Sequence, residues 1–213
     1  MIVAPHHSLE ADRISTLESL RILDTLPETD FDDLTMLASK ICGTPIALIS
    51  LVDRSRQWFK SRIGISATET PRDFAFCSHA ILGSGIFEVK DSELDERFST
   101  NPLVKGEPFV RFYAGAPLLA PNGMPLGTIC VIDSQPRELD DSQKEALTAL
   151  SRQVTRLLEQ RLHLERMQAS KVRLSIKRTA LDNLAEGVLL RDTAGKVIDY
   201  NPRALEIFGV DPE

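Results

Sequence analysis

The stretch Phe109–Asp133, FVRFYAGAPLLAPNGMPLGTICVID, contains two apolar runs on either side of a Pro-Asn-Gly turn cluster at 121–123. Aromatic and β-branched residues in both runs suit a pleated, largely buried surface. Asn-Gly between two such runs is a strong hairpin signal. We therefore predict an antiparallel hairpin that forms the central pair of a sheet. Gly115 and Gly127 interrupt the runs, and a bulge or a close backbone approach is the favoured explanation for both.

Further elements are predicted on the N-terminal side of this hairpin. Apolar residues three positions apart predict a first helix between Ser8 and Pro27, at Ile14, Leu17, Leu20 and Leu23. A second helical face is predicted from Phe31, Leu34, Ala38 and Ile41. The segments 45–52 and 57–64 predict a second hairpin, 76–82 a short helix and 87–89 a short strand.

Five phrases of the sequence, in register, resemble the bacterial GAF sensory domain. They are ILDTLPE at 22–28, VDRSRQWFKSRIG at 52–64, FCSHAI at 76–81, DERFSTNPLV at 95–104, and the hairpin with RFYAGAPL at 111–118 and GTICVID at 127–133. Five phrases in the family's order are far more specific than any single short motif. The resemblance implies an α+β GAF fold, in which helices lie on a central antiparallel sheet.

The resemblance also implies a small ligand cavity between the sheet and its covering loops. The positions that match the cavity wall are Trp58, Phe59, Phe76, Cys77, His79, Asp91, Phe98, Tyr113 and Cys130. Adjacent strand residues point to opposite faces, so only one of Trp58 and Phe59 can enter the cavity. Cys77-Ser-His79 departs from the Cys-His pattern of bilin carriers, and the signature of cyclic-nucleotide binders is missing. The ligand and any cofactor are therefore left unknown.

The three cysteines, Cys42, Cys77 and Cys130, are far apart and have no CxxC spacing. This pattern argues against a zinc site and a disulfide framework. His79 is interpreted as a hydrogen-bonded structural histidine, and no metal site is predicted. An alternative is that the chain resembles GAF-fold enzymes that reduce free methionine sulfoxide, with Cys77 and Cys130 approaching the cavity. No catalytic motif supports an enzyme, so none is predicted in this chain.

A long run without Gly or Pro begins at Asp141 and reaches Glu186, which predicts an extended helix. Its first half has residues alternating three and four apart, namely Leu147, Leu150, Val154, Leu157, Arg161 and Leu164. Such spacing is typical of a coiled-coil seam. A stutter is needed to continue the seam through Val172 and Ile176. We predict a parallel homodimer through this helix.

The charge changes sign along the chain: −7 over residues 1–140, +4 over 141–183 and −3 over 184–213. No aromatic residues interleave with the basic residues of the helix, so we expect a solvated surface and no nucleic-acid partner. Residues 184–213 resemble the opening of a PAS domain. The predicted organisation is an N-terminal tail at 1–13, a GAF domain at 14–140, a signalling helix at 141–183 and a truncated PAS domain at 184–213.

These features together predict a sensory input module whose signal passes through a dimeric helix to a C-terminal output domain. By resemblance, that output is a diguanylate cyclase, a cyclic-di-GMP phosphodiesterase or the histidine kinase of a two-component system. A thiol-dependent reductase and a ligand-free dimerisation scaffold remain alternatives. No apolar run reaches membrane-spanning length, and the first residues, MIVAPHHSLEADR, lack the pattern of a secretory signal. We therefore expect no membrane insertion and a cytoplasmic setting.

Overall fold

The computed structural model describes residues 1–208, which belong to two compact units divided after Leu162. The first unit is built on a six-stranded antiparallel sheet with helices packed against it. The predicted α+β class, with helices on a central antiparallel sheet, is thereby confirmed.

The elements follow the order expected from the sequence. The helices are α1 Glu10–Ser19, α2 Thr29–Cys42, α3 Phe76–Ala80, α4 Pro102–Lys105, α5 Asp141–Asp182 and α6 Pro202–Phe208, with a 3-10 turn at Arg72–Phe74. The strands are β1 Ile46–Val52, β2 Arg56–Ile63, β3 Glu69–Pro71, β4 Phe87–Val89, β5 Phe112–Leu119, β6 Pro125–Asp133, β7 Leu189–Arg191 and β8 Val197–Tyr200.

The strand order in the large sheet is β3-β2-β1-β6-β5-β4. β5 and β6 form the predicted hairpin, with Phe112 opposite Asp133 at its open end. The prediction that this hairpin is the central pair was wrong by one strand, because the middle pair is β1 with β6. Leu48 of β1 lies opposite Cys130 of β6. This pairing joins strands far apart in the chain, and no local turn signal specifies it.

Alternation along the strands divides the core into two clusters, one on each side of the sheet. On the side that we call the helix face, α1, α2 and the start of α5 cover Ala47, Ile49, Leu51, Trp58, Phe112, Ala114, Ile129 and Val131. On the side that we call the cavity face, α3, α4 and connecting loops lie against Leu48, Phe59, Tyr113, Cys130 and Ile132. The two faces therefore share strands but have different neighbours.

The buried side of α2 differs from the predicted one. Phe31 and Ala38 are buried as expected, but the other buried positions are Thr35 and Cys42. Ile41, predicted to face the core, is 42% exposed. Thr35 can be buried because its hydroxyl donates to the carbonyl of Phe31 at 3.0 Å, which satisfies its polar group within the helix.

The first part of α5 packs on its own sheet. The apolar stripe is buried there at Leu147, Leu150, Val154 and Leu158. Leu157 is half-buried, and Arg161 donates from Nε to Glu28 Oε1 at 2.9 Å. Leu164, by contrast, is 61% exposed. Over residues 147–161 the stripe therefore covers the helix face of the same chain, a use that its spacing alone did not reveal, and dimerisation stays a prediction.

The second unit contains the end of α5, the β7–β8 hairpin and α6. Asn201, the residue before α6, organises this unit through its side-chain amide. Its Oδ1 accepts from the backbone N–H groups of Val188 at 2.8 Å and Ala204 at 3.0 Å. Its Nδ2 donates to the carbonyl oxygens of Leu181 and Glu186, both at 2.9 Å. The hairpin and α6 lie within the segment that resembles the opening of a PAS domain, and residues 209–213 of that segment lie outside the described residues.

Candidate functional site

A cavity of about 490 Å³ opens on the cavity face of the sheet. This volume lies within the range of small-molecule sites. Its walls come from five strands, β1, β2, β3, β5 and β6, from the helices α3 and α4, and from two loops. The lining residues are Leu48, Gln57, Phe59, Gly64, Ile65, Ser66, Ala67, Thr70, Phe76, Cys77, Leu103, Glu107, Pro108, Phe109, Val110, Tyr113 and Ile132.

Two polar groups in this wall have unmet hydrogen-bonding capacity. Gln57 of β2 and Thr70 of β3 lie directly opposite each other in the sheet. Their atoms Gln57 Oε1 and Thr70 Oγ1 are buried and have no hydrogen-bond partner among the described residues. A buried polar atom without a partner costs about 1–3 kcal/mol. The cavity therefore offers a complementary ligand two hydrogen-bonding positions on one wall.

The rim of the cavity carries an exposed aromatic side chain. Phe109 lines the cavity yet is 52% exposed. Its backbone has a φ of 55°, in the left-handed region that side chains other than glycine rarely adopt. Ser66 and Ala67, also in the wall, are exposed as well. The cavity thus has an apolar mouth that a small molecule can reach.

A buried cluster of sulfur and hydroxyl groups lies at the inner wall. The Sγ atoms of Cys77 and Cys130 are 3.9 Å apart. The hydroxyls of Thr128 and Tyr113 donate to Cys77 Sγ at 3.0 Å and 3.2 Å. Burial raises the pKa of Cys77, but the hydrogen bonds from Cys130, Thr128 and Tyr113 outweigh it and lower the pKa to about 7. Burial and the neighbouring Cys77 raise the pKa of Cys130 well above its ordinary value.

Two glycines near this cluster stand where a side chain would collide with its neighbours. A Cβ on Gly115 would lie 2.3 Å from the Tyr113 hydroxyl oxygen, so the missing side chain makes room for that hydroxyl. A Cβ on Gly127 would lie 1.9 Å from the carbonyl oxygen of Ser50 on β1. The predicted close backbone approach is thus observed at Gly127, whereas at Gly115 the neighbour is a side chain.

Four of the nine residues matched to the cavity wall line it: Phe59, Phe76, Cys77 and Tyr113. Of the adjacent pair on β2 only Phe59 enters, as the alternation predicted. Trp58 belongs to the helix face, where it is 8% exposed. Cys130 is 0% exposed and is not among the lining residues, and its sulfur lies 3.9 Å from that of Cys77, which does line the cavity.

The other three matched residues also lie outside the lining. Phe98 stacks on Phe76 with ring centroids 4.0 Å apart, so it supports the wall from behind. His79 Nε2 donates to the carbonyl of Ile2 at 3.1 Å, and burial lowers the pKa of its ring. Asp91 accepts from Arg111 at 2.8 Å and 2.7 Å, and these hydrogen bonds hold the pKa of its carboxyl below the usual value.

The sequence analysis missed Gln57 and Thr70. Gln57 could have been found, since it lies two residues before Phe59 and must share its face on a regular strand. Thr70 is on a three-residue strand that no pattern indicated. Within residues 1–208, no group of three or more His, Cys, Asp and Glu side chains has the arrangement of a metal site. Nor does any helix in that range have the length and apolar character needed to cross a membrane.

The fold is a sheet with helices on one face and a cavity on the other, and the sequence of the chain matches two family models. The model of the GAF domain matches residues 26–158, and that of a PAS domain matches residues 175–213. Because the first match covers more than half of the chain, the chain belongs to the GAF domain family, and its first unit is a GAF sensory domain. The resemblance stated from the five phrases is confirmed.

Among curated proteins, the chain is similar to the cyclic di-GMP phosphodiesterase PA2567 of Pseudomonas aeruginosa. The two are 42% identical over 163 residues, which are 76% of this chain and 27% of that protein. The chain thus spans about 27% of the length of the curated relative that it matches. The similarity is consistent with a regulatory role.

Solved structures show the same fold at low sequence identity. The GAF domain of an Acinetobacter phosphoenolpyruvate-protein phosphotransferase has a TM-score of 0.53 at 16% identity, covering 72% of this chain and 94% of that one. The type II free methionine-R-sulfoxide reductase of Thermoplasma acidophilum has a TM-score of 0.52 at 12% identity, covering 62% and 92%. The PixJ GAF domain of Thermosynechococcus elongatus has a TM-score of 0.53 at 13% identity, covering 76% and 96%. At these identities the likeness concerns the fold alone.

Proposed function

We propose that the GAF domain binds a small molecule in the cavity of the cavity face and passes the binding signal through α5. The observation that carries this proposal is the pair of buried, unpartnered oxygens on Gln57 and Thr70 at the wall of a 490 Å³ cavity. Folding leaves such groups unpaired at a cost. A ligand that pairs with them recovers that cost on binding.

The lining indicates the chemistry of the ligand. Most of the wall is aliphatic or aromatic, including Leu48, Phe59 and Leu103. The amide of Gln57 and the hydroxyl of Thr70 are both uncharged and form one polar edge. We therefore expect a compact, mainly apolar ligand with one polar end that donates or accepts hydrogen bonds on neighbouring atoms.

A chain of contacts connects the cavity to α5. The pairing of β1 with β2 shifts by one residue between Ile49 and Ser50. Lys60, next to Phe59, is the extra residue on β2 at this bulge. The buried ammonium of Lys60 donates to Glu28 Oε1 at 2.6 Å, and the same oxygen accepts from Arg161 of α5 at 2.9 Å. A shift of Phe59 on ligand binding would move Lys60, and through Glu28 it would bias the position of α5. Such coupling requires the ligand to prefer one arrangement over the other.

We further propose that the later part of α5 forms a homodimer. Its apolar side chains are exposed within the described chain, namely Leu164, Met167, Val172, Leu174 and Ile176. Exposed apolar side chains at this density on one helix favour burial against a second copy. Sedimentation should give a dimer, and Val172→Glu/Ile176→Glu should shift it to monomer. The control Ser170→Glu adds a charge at an exposed position on the side of α5 opposite Val172 and Ile176, and it should leave the dimer intact. A wild-type monomer at tens of micromolar, the usual range for such measurements, would contradict the dimer.

We propose that α5 controls an output domain of a longer protein, since this chain spans only about 27% of its curated relative. Because the curated relative is a cyclic di-GMP phosphodiesterase, we propose an output that turns over cyclic-di-GMP, as a phosphodiesterase or a diguanylate cyclase. A histidine kinase is the remaining option from the resemblance. The reductase alternative is less favoured, since Cys42 lies in the helix-face cluster and does not join the other two cysteines. A ligand-free scaffold is the other alternative.

Native mass spectrometry of the purified 213-residue chain tests the ligand proposal. We expect the wild-type chain to retain a non-covalent small molecule. Gln57→Leu should lose it, because the polar edge is removed, whereas Gln153→Leu, on the exposed side of α5, should retain it. A bare mass for the wild type and both variants would favour the ligand-free scaffold, and equal retention by both variants would remove Gln57 from the site.

A further inference from the structure

The thiol pair behind the cavity is separate from the polar edge formed by Gln57 and Thr70. Cys77 of α3 and Cys130 of β6 are both free thiols, 1% and 0% exposed, with their sulfur atoms 3.9 Å apart. Cys77 lines the cavity, whereas Cys130 lies behind it. A molecule that enters the cavity therefore meets Cys77 first, and Cys130 is the nearest thiol to it.

The surroundings of Cys77 favour its reactive form. Two hydroxyls, from Thr128 and Tyr113, donate to its sulfur, which stabilises a negative charge there. The lowered pKa of Cys77 agrees with this geometry. The thiolate is the nucleophilic form of cysteine. Cys42 provides a contrast within the same domain, because burial and the carboxylate of Asp140 raise its pKa to about 11.

We propose that Cys77 and Cys130 form a peroxide-sensitive pair, in which Cys77 is oxidised by a hydroperoxide that enters the cavity and Cys130 then closes a disulfide with it. In the first step the sulfur of Cys77 attacks one peroxide oxygen and the O–O bond breaks. Cys77 keeps the attacked oxygen as a hydroxyl group and becomes a sulfenic acid. The other peroxide oxygen takes the thiol proton and leaves as an alcohol, or as water when the oxidant is hydrogen peroxide. In the second step the sulfur of Cys130 attacks Cys77, its proton leaves with the sulfenic hydroxyl as water, and the S–S bond forms.

Closing the bond would alter the cavity wall. A disulfide needs its sulfur atoms about 2.05 Å apart, so the observed 3.9 Å must shorten. β6 is held between two strands, whereas α3 is a five-residue helix on the sheet. We therefore expect α3 to move toward β6, carrying Phe76, which also lines the cavity. Oxidation would change the space available to a ligand.

The test uses the full 213-residue chain, treated when reduced with hydrogen peroxide and, separately, with the bulkier tert-butyl hydroperoxide. Intact masses are measured under denaturing, non-reducing conditions. We expect the wild type and Cys42→Ser to lose about 2 Da, with peptide mapping linking residues 77 and 130. Cys130→Ser should instead gain about 16 Da at Cys77 and react with dimedone. Tyr113→Phe keeps both thiols but removes one of the two hydroxyl donors to Cys77, so it should react several-fold more slowly.

Three outcomes would overturn the proposal. The first is a wild-type chain that stays reduced at peroxide levels that oxidise the same chain in urea. The second is Cys42 reacting as fast as Cys77 in the folded chain, and the third is a Tyr113→Phe rate equal to that of the wild type. Failure of the thiol proposal can be told apart from failure of the ligand proposal. Ligand retention is measured on the reduced chain and depends on Gln57, not on the two thiols.

Discussion

The helix face and the cavity face are built from the same strands but differ in how completely they are packed. On the helix face three helices cover the sheet, and Leu51 and Trp58 lie in a continuous apolar cluster. On the cavity face a short helix and loops leave about 490 Å³ unfilled next to Leu48 and Phe59. The comparison teaches that one face of the sheet is filled by helices, whereas the other keeps an open cavity with the Cys77 thiol in its wall.

The largest effect should come from truncating a leucine on the helix face. Leu51→Ala leaves a closed void in packed surroundings, and we expect the free energy of unfolding to fall by about 4 kcal/mol. Leu48→Ala, on the same strand, only enlarges a cavity that already exists, so we expect about 2 kcal/mol. Urea denaturation of both variants measures the difference. Equal losses would mean that the two faces are packed alike.

The next effect concerns the middle of the sheet, which both faces share. Gly127→Ala places a methyl group against the Ser50 carbonyl and forces β1 and β6 apart. We expect a loss of about 3 kcal/mol, typical of overpacking in a rigid core. Gly85→Ala is the matched control, since a Cβ there meets no atom within 4 Å. A Gly127→Ala chain as stable as the control would contradict the close strand approach.

A smaller effect is expected where the helix face meets α5. Glu28→Gln leaves the ammonium of Lys60, whose side chain is 0% exposed, without its counter-ion. We expect a loss of about 2 kcal/mol, reduced from the value for fully buried pairs because Glu28 is partly exposed. Lys60→Met removes the buried charge itself and should cost less. Thermal unfolding of the two variants checks the order, and the reverse order would show that Lys60 is stabilised by other groups.

The smallest effect is a pH dependence in the same contacts. Burial tends to raise the pKa of Glu28, but hydrogen bonds from Lys60 and Arg161 lower it overall. A carboxyl with a lower pKa in the folded state stabilises the fold above its unfolded pKa, about 4.3, and this contribution is lost as the pH falls further. Unfolding measured from pH 6 to pH 3 should therefore show a weaker pH dependence in Glu28→Gln than in wild type. The same pH dependence of unfolding in both proteins would mean that Lys60 and Arg161 do not lower the pKa of Glu28 in the folded chain.

The sequence predicted more of the fold than of the site. Periodicity located α1, α2, both hairpins and the start of α5, because those signals are local. The phrase order identified the family. The alternation of β2 correctly separated Trp58 from Phe59. The middle position of β1 and the fit of α5 on its own sheet depend on contacts between distant segments, and spacing within one segment does not report them.

The site was predicted less completely for a related reason. The register change at Lys60 makes this residue and Ser61 both contact the α2 side, through Glu28 and Asp32. Regular alternation would have placed them on opposite faces. Thr70 is held opposite Gln57 by pairing with a three-residue strand, which is too short to show any pattern. A family match transfers positions, whereas the side chains that reach a cavity are decided by local irregularities.

The position of Trp58 has a practical consequence. It is the single tryptophan of the chain, it is 8% exposed, and its neighbours on β2 are the cavity residues Gln57 and Phe59. Its indole lies on the opposite side of the sheet and is not among the residues that line the cavity. If a ligand binds as proposed, we expect the intrinsic fluorescence of this one residue to report the change in β2 without contact between the indole and the bound molecule. A ligand screen can use the natural chain as its own indicator.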